Sequence, residues 1–93
     1  MNVKSLLEQY HALDARQYVG DYDAVIALVD LRRAIRLANL TERQAEALRL
    51  VYLEDLTQAS AGERMDITQQ ATALALDGAL TKIQRIYDKW EDD

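Results

Sequence analysis

The spacing of apolar side chains makes this chain helical from end to end. Val3, Leu6, Leu7, Tyr10 and Leu13 fall at i, i+3, i+4, i+7 and i+10, one stripe of a helix. The pattern lapses over residues 14–20, which reads as a linker or a frayed turn. Asp21 or Asp23 can cap a second helix with apolar positions Val25, Ile26, Leu28, Val29, Leu31 and Ile35. These are too dense for a narrow stripe, so most of that helix is expected to be buried. It should stop near Asn39, a residue that tolerates the left-handed conformation at helix ends. Thr41 and Gln44 then form a capping box, and the helix they open sets Ala45, Leu48, Val51 and Tyr52 on one face, with Leu53 and Leu56 closing it. Near the end of the chain, Leu76, Leu80, Ile83, Tyr87 and Trp90 are spaced 4, 3, 4, 3, an apolar seam of heptad period. The spacing predicts five helices at about 3–14, 21–38, 42–54, 58–65 and 68–91, and no strand. The expected core includes Leu6, Val25, Ile26, Val29, Leu48, Val51, Tyr52, Leu76, Leu80 and Ile83.

The last two helices are close together. Residues 56–83 read LTQASAGERMDITQQATALALDGALTKI, the layout of a helix-turn-helix. A short helix runs from about Gln58 to Met65, a tight turn centres on Asp66, and a longer helix opens at Thr68. In such a motif the second helix enters the major groove and reads base edges. Here that helix carries no Lys or Arg between Ile67 and Thr81, and its one charge there is Asp77.

Composition narrows the picture further. A chain of 93 residues with no proline and three glycines predicts an all-α single domain over 1–93, with N-terminal helices in 1–39 and the helix-turn-helix module in 40–91. The absence of cysteine excludes disulfides, a thiol nucleophile and a thiolate metal site. No apolar run approaches the roughly 18 residues of a membrane span, and the N-terminus has no signal-peptide pattern, so a cytoplasmic protein is expected. His11 is the lone histidine, on an amphipathic helix beside Tyr10, and reads as a boundary residue. Glu54-Asp55 and Glu91-Asp92-Asp93 lie at helix ends, where solvated charge is the simpler reading than a metal or acid–base pair. No phosphate-binding glycine loop or nucleophile motif appears, so neither enzyme activity nor a cofactor nor a metal is expected. Asn39-Leu40-Thr41 matches a glycosylation acceptor by accident of composition. The net charge of −5 is uneven: residues 1–40 hold five basic and five acidic side chains, and residues 41–93 hold six basic and eleven acidic. The whole deficit sits in the half with the helix-turn-helix, where DNA binding would require cations.

These residues carry a family resemblance. LTERQAEALRLVYLEDLTQ at 40–58, GERMDIT at 62–68 and ALTKI at 79–83 resemble the region 4 helix-turn-helix of bacterial sigma factors. They are also similar to the sigma-like regulators encoded by phages and prophages of Gram-positive bacteria. The helix DAVIALVDLRRAI and the closing IYDKWEDD resemble the phage regulators as well. The resemblance implies a role in transcription, through the promoter −35 element and the flap of the RNA polymerase β subunit. It implies DNA contacts at Thr57 and Gln58, near phosphates, and at Thr68, Gln69, Gln70, Ala73 and Leu74 on the reading helix. A glutamine amide can pair with adenine N6 and N7, which suits Gln69 and Gln70. The chain departs from the family at three places. Leu74-Ala75 replaces a basic pair, Asp66 replaces a turn glycine, and Ala61 and Thr72 replace large aliphatic anchors.

Two functional readings follow. In the first, the protein is a sigma-like transcription regulator at promoters, with RNA polymerase supplying most of the affinity for double-stranded DNA. In the second, it is an interaction module on a sigma-like scaffold, binding polymerase or another host or phage protein through the apolar side of its reading helix. A small terminase-type DNA-recognition subunit is a lesser alternative. The seam through Leu76, Leu80, Ile83, Tyr87 and Trp90 fits a dimer, a partner helix or, most simply, the protein's own first helices. A monomer or weak homodimer is expected.

Overall fold

The computed structural model describes residues 1–92, and among them it has six α-helices and no strand. In chain order these are α1 (Val3–Glu8), α2 (Tyr10–Gln17), α3 (Tyr22–Leu37), α4 (Glu42–Leu48), α5 (Gln58–Met65) and α6 (Gln69–Asp92). The 24-residue α6 is the spine, and α1, α3, α4 and α5 all pack against it. One apolar cluster joins Val3, Leu6 and Leu7 of α1 to Leu28 and Leu31 of α3, Leu48 of α4, and Leu76, Ile83 and Tyr87 of α6. The N-terminal end of the chain is tied down as well. The Val3 amide donates to Gln84 Oε1 at 2.9 Å, Gln84 Nε2 donates to the Met1 carbonyl at 2.7 Å, and the Met1 ammonium pairs with Glu91.

The first expected helix is two. The chain breaks at Gln9 (φ −95°, ψ 5°), whose amide reaches back to the Ser5 and Leu6 carbonyls, and α2 continues to Gln17, into the stretch read as linker. The break keeps Val3, Leu6, Leu7 and Leu13 buried on two helix axes. Asp21 caps α3 by accepting from the Ala24 amide at 3.1 Å.

The reading of α3 as mostly buried is corrected. Its inner face is Ala24, Leu28, Leu31 and Ala34, whereas Val29 is 54% exposed, Ile26 43% exposed and Val25 half-buried. Small residues at 24, 27 and 34 let α2 and α6 approach one side closely, which leaves the bulkier side without a neighbour.

The helix expected over 42–54 also changes character. Thr41 and Gln44 form the capping box, with the Gln44 amide on Thr41 Oγ1 and the Thr41 amide on Gln44 Oε1, both 3.1 Å. After Leu48 the helix widens into a π-helical turn over Arg49–Leu53, where the Glu54 amide reaches the Arg49 carbonyl at 3.0 Å. The widening turns Leu50 fully inward, and Val51 and Tyr52 become half-buried. Asp55 (φ 60°) ends the turn, and the Leu56 amide bonds to the Leu50 carbonyl at 3.0 Å. Leu80, expected in the core, is half-buried at its edge.

Candidate nucleic-acid interface

The turn between α5 and α6 is built from local chemistry. Asp66 adopts the left-handed conformation (φ 59°, ψ 42°), its amide bonds to Glu63 O at 3.2 Å, and the Ile67 amide bonds to Gly62 O at 2.9 Å. This pair of bonds is a Schellman closure of α5. Thr57 caps α5 by accepting from the Ser60 amide at 3.0 Å, and Thr68 caps α6 by accepting from the Ala71 amide at 3.0 Å. Both threonines are therefore spent on helix starts. What α5 and α6 offer a phosphate at these positions is the positive end of a helix dipole.

Small residues set the angle between the two helices. Ala61 and Thr72 are fully buried, Gly62 is buried beside them, and the Thr72 hydroxyl donates to the Thr68 carbonyl at 2.9 Å. A methyl group on Gly62 would lie 2.9 Å from Thr72 Oγ1 and 3.0 Å from the Ile67 carbonyl oxygen. The small residues Ala61 and Gly62 thus let α5 lie close against Thr72 and the turn.

Outward from this pair, the sequence-expected contact residues separate into two groups. Gln69 and Gln70 are exposed in the first turn of α6, Leu74 is 73% exposed one turn on, and Asp77 follows on the same side. Gln58 and Ala73 are half-buried, and so are less available than the other positions. Two adjacent amides and an exposed leucine one turn on make this side of α6 a surface of hydrogen-bond donors and acceptors with one apolar side chain.

The surrounding charge is sparse and mostly negative. Glu63, Asp66 and Asp77 are exposed near the turn and the face. Arg49 is held by Glu46 at 2.6 Å and by Glu54, and these carboxylates, Glu46 foremost, push its pKa upward. The exposed cations left are Arg64 in the last turn of α5 and Arg43 in the first turn of α4. Arg43 borders two grooves, one shared with Ala71, Leu74 and Ala75, the other with Ala45, Met65 and Ile67. It makes no ion pair among the described residues. The signal that it borders the reading helix is tertiary, the packing of α4 across α6.

The heptad seam faces inward. Leu76, Ile83 and Tyr87 are buried in the protein's own core, and Leu80 and Trp90 are half-buried at its edge. Tyr87 and Trp90 meet edge to face at 5.1 Å, and the Arg33 guanidinium lies 5.6 Å from the Trp90 ring centroid. His11 is exposed and stacks edge-on against Tyr10 at 5.5 Å.

No curated protein and no solved structure matches the chain significantly. A family model does: sigma-70, region 4, over residues 36–85, which takes in the capping box, the π-helical turn, α5, the Asp66 turn and most of α6. More than half of the chain is matched, and the matched part is the part whose geometry forms a helix-turn-helix. The chain belongs to the sigma-70 region 4 family of DNA-binding helix-turn-helix domains.

Proposed function

We propose that this protein is a transcription regulator that acts at promoters together with RNA polymerase, working as one unit over 1–93 in the cytoplasm. The observation that carries the reading is the exposed pair Gln69 and Gln70, in the first turn of a Thr68-capped helix, within the sigma-70 region 4 match. In the major groove their amides would bond adenine, and Leu74 would meet a thymine methyl. Thr57 and Thr68 would set the first-turn amides of their helices against phosphates, with Gln58 and Ala73 at the edges of the contact. Polymerase supplies the affinity that the acidic module lacks. The family is non-enzymatic, and no described helix is long and apolar enough to cross a membrane.

A second reading keeps the scaffold and changes the ligand. Leu74 is 73% exposed beside a groove with Ala71 and Ala75, and no Lys or Arg occurs between Ile67 and Thr81. Such a face also suits an apolar protein partner. One pair of variants separates the two. For the regulator, Gln70→Ala costs about 1–3 kcal/mol at a single base position and relaxes specificity there. For the interaction module, Gln70→Ala is silent and Leu74→Glu abolishes partner binding, because it places an unpaired charge in an apolar contact. The readouts are promoter binding by reconstituted polymerase with the protein, and capture of polymerase subunits from a bacterial lysate with and without nuclease. Capture that survives nuclease while promoter selectivity ignores Gln70 would overturn the regulator reading.

A further inference from the structure

α1 is a poor occupant of the place it holds. It is six residues long, lies outside the family match of residues 36–85, and is cut off from α2 at Gln9. A helix this short has no stability of its own and forms only against a surface. That surface is the groove between the π-helical turn and α6. Val3, Leu6 and Leu7 are buried there at i, i+3 and i+4, the spacing by which amphipathic helices dock. The groove is wider than α1. Along one side runs a cleft of about 370 Å³, between Val3 and Lys4 and the α6 residues Leu80, Thr81 and Arg85. Along the other runs a cleft of about 260 Å³, between Leu7 and Glu8 and the residues Val51, Tyr52 and Asp55. Leu80, Val51 and Tyr52 are left half-buried at these margins.

The charges of α1 oppose both its own dipole and the groove. Lys4 stands in the first turn and Glu8 in the last, each at the end of the helix dipole that repels it. Lys4 shares its cleft with Arg85, and Glu8 shares its cleft with Asp55. All four are exposed and take part in no ion pair among the described residues. The carboxylate in the first cleft, Asp88, already accepts from Gln84 Nε2 at 2.9 Å. In the second, burial and then the negative charge of Glu8 and Asp77 push the Tyr52 pKa upward. Besides its three apolar side chains, α1 is held by the hydrogen bonds of Gln84 to Val3 and Met1 and by the exposed pairing of the Met1 ammonium with Glu91. We infer that α1 is a displaceable strap, which closes a helix-accepting groove of the region 4 module until a partner's amphipathic helix takes its place. That helix has bulky apolar residues at i, i+3 and i+4, an acidic residue facing Arg85 and a basic residue facing Asp55. It belongs to RNA polymerase, a partner that rests on the function proposed above.

The test uses the full chain and two variants. Lys4→Glu/Glu8→Lys reverses every mismatch at exposed positions and should hold the strap closed, whereas Leu7→Ala should loosen it. In wild type, the Leu6 and Gln9 amides, which bond to the Asn2 and Ser5 carbonyls, should exchange hydrogen by local opening. Their rate should be at least about 100-fold faster than at the centre of α6, and the double variant should slow it about tenfold. Apparent affinity scales with the open fraction, so the double variant should bind core RNA polymerase more weakly by the same factor of about ten. Leu7→Ala should bind it more tightly than wild type, by the factor by which it speeds α1 exchange. The double variant keeps the test sound if Leu7→Ala lowers overall stability. Exchange of the α1 amides as slow as that of α6, or polymerase affinity indifferent to the double variant, would overturn the strap. Binding of polymerase by none of the three proteins would overturn the regulator reading and the partner named here, while the exchange of α1 still decides the strap.

Discussion

Tyr87 is the most revealing single side chain in the core. It is 7% exposed, and its hydroxyl has no hydrogen-bond partner among the described residues. Burial, with Asp30 nearby, pushes its pKa up to about 12 from an ordinary value of 10. Between those values the unfolded chain has released the proton and the folded chain still holds it. Stability is therefore intact below pH 10 and falls as pH rises towards 12, at up to about 1.4 kcal/mol per pH unit. Tyr87→Phe removes both the ionisation and the orphaned hydroxyl, and keeps the ring against Trp90. The variant should equal or exceed wild-type stability at neutral pH, by up to about 1 kcal/mol, and should lose less between pH 10 and 12. Urea unfolding of the two proteins at pH 7 and pH 11 checks both parts. A Tyr87→Phe variant clearly less stable at pH 7 would mean that the hydroxyl has a partner after all.

Among the elements, what the sequence makes legible is what neighbouring residues decide. The Thr41–Gln44 box lies where the sequence pattern puts it, and the Thr57 and Thr68 caps and the left-handed Asp66, which likewise depend on contacts within five residues, fall at the helix starts and the turn that the spacing predicts. The inner face of α3, the break at Gln9 and the π-helical turn depend on which helix arrives from elsewhere. Periodicity marks Val25, Ile26 and Val29 as apolar, but it carries no sign of which side α2 and α6 will cover. For the candidate site, Gln69, Gln70 and Leu74 are legible only through the family resemblance and lie exposed on α6, whereas Arg43 comes beside them through the packing of α4 on α6. The same distinction separates two glycines. A methyl on Gly62 meets the backbone carbonyls of Ile67 and Thr68 at 3.0 and 3.2 Å, which form the turn and cannot yield cheaply. A methyl on Gly78 meets Gln44 Nε2 at 2.6 Å, the end of a flexible side chain that can swing aside, although Gln44 Oε1 serves Thr41 and Lys82. Alanine gains about 0.5–1 kcal/mol of helix propensity at either position. Gly62→Ala should nonetheless destabilise by about 1–3 kcal/mol and splay α5 from α6, whereas Gly78→Ala should fall near neutral. Thermal unfolding of the two variants decides, and equal midpoints would show that the α5–α6 contact is looser than its distances imply.

For the whole molecule, the governing quantity is a net charge of −5 carried entirely by the half that holds the helix-turn-helix. Each phosphate neutralised by a cation contributes about 0.9 to the slope of log affinity against log salt. Near the reading face only Arg43 and Arg64 are exposed and outside any ion pair among the described residues. The purified protein should therefore bind duplex DNA weakly at about 0.15 M salt, with a shallow slope of roughly 2. Restoring a cation where the family has a basic pair is a direct test. Ala75 is 8% exposed and has no room for one, but Leu74 points into solvent. Leu74→Arg should raise DNA affinity and steepen the slope by about 0.9, and Asp77→Asn should raise affinity by removing a repulsive charge. Neither change touches the buried face of α6, so stability should hold in both. If Leu74→Arg moves neither affinity nor slope, α6 does not approach phosphates at that position. The exposed leucine is then better explained as a protein contact, and the sigma-like scaffold has kept its shape while exchanging its ligand.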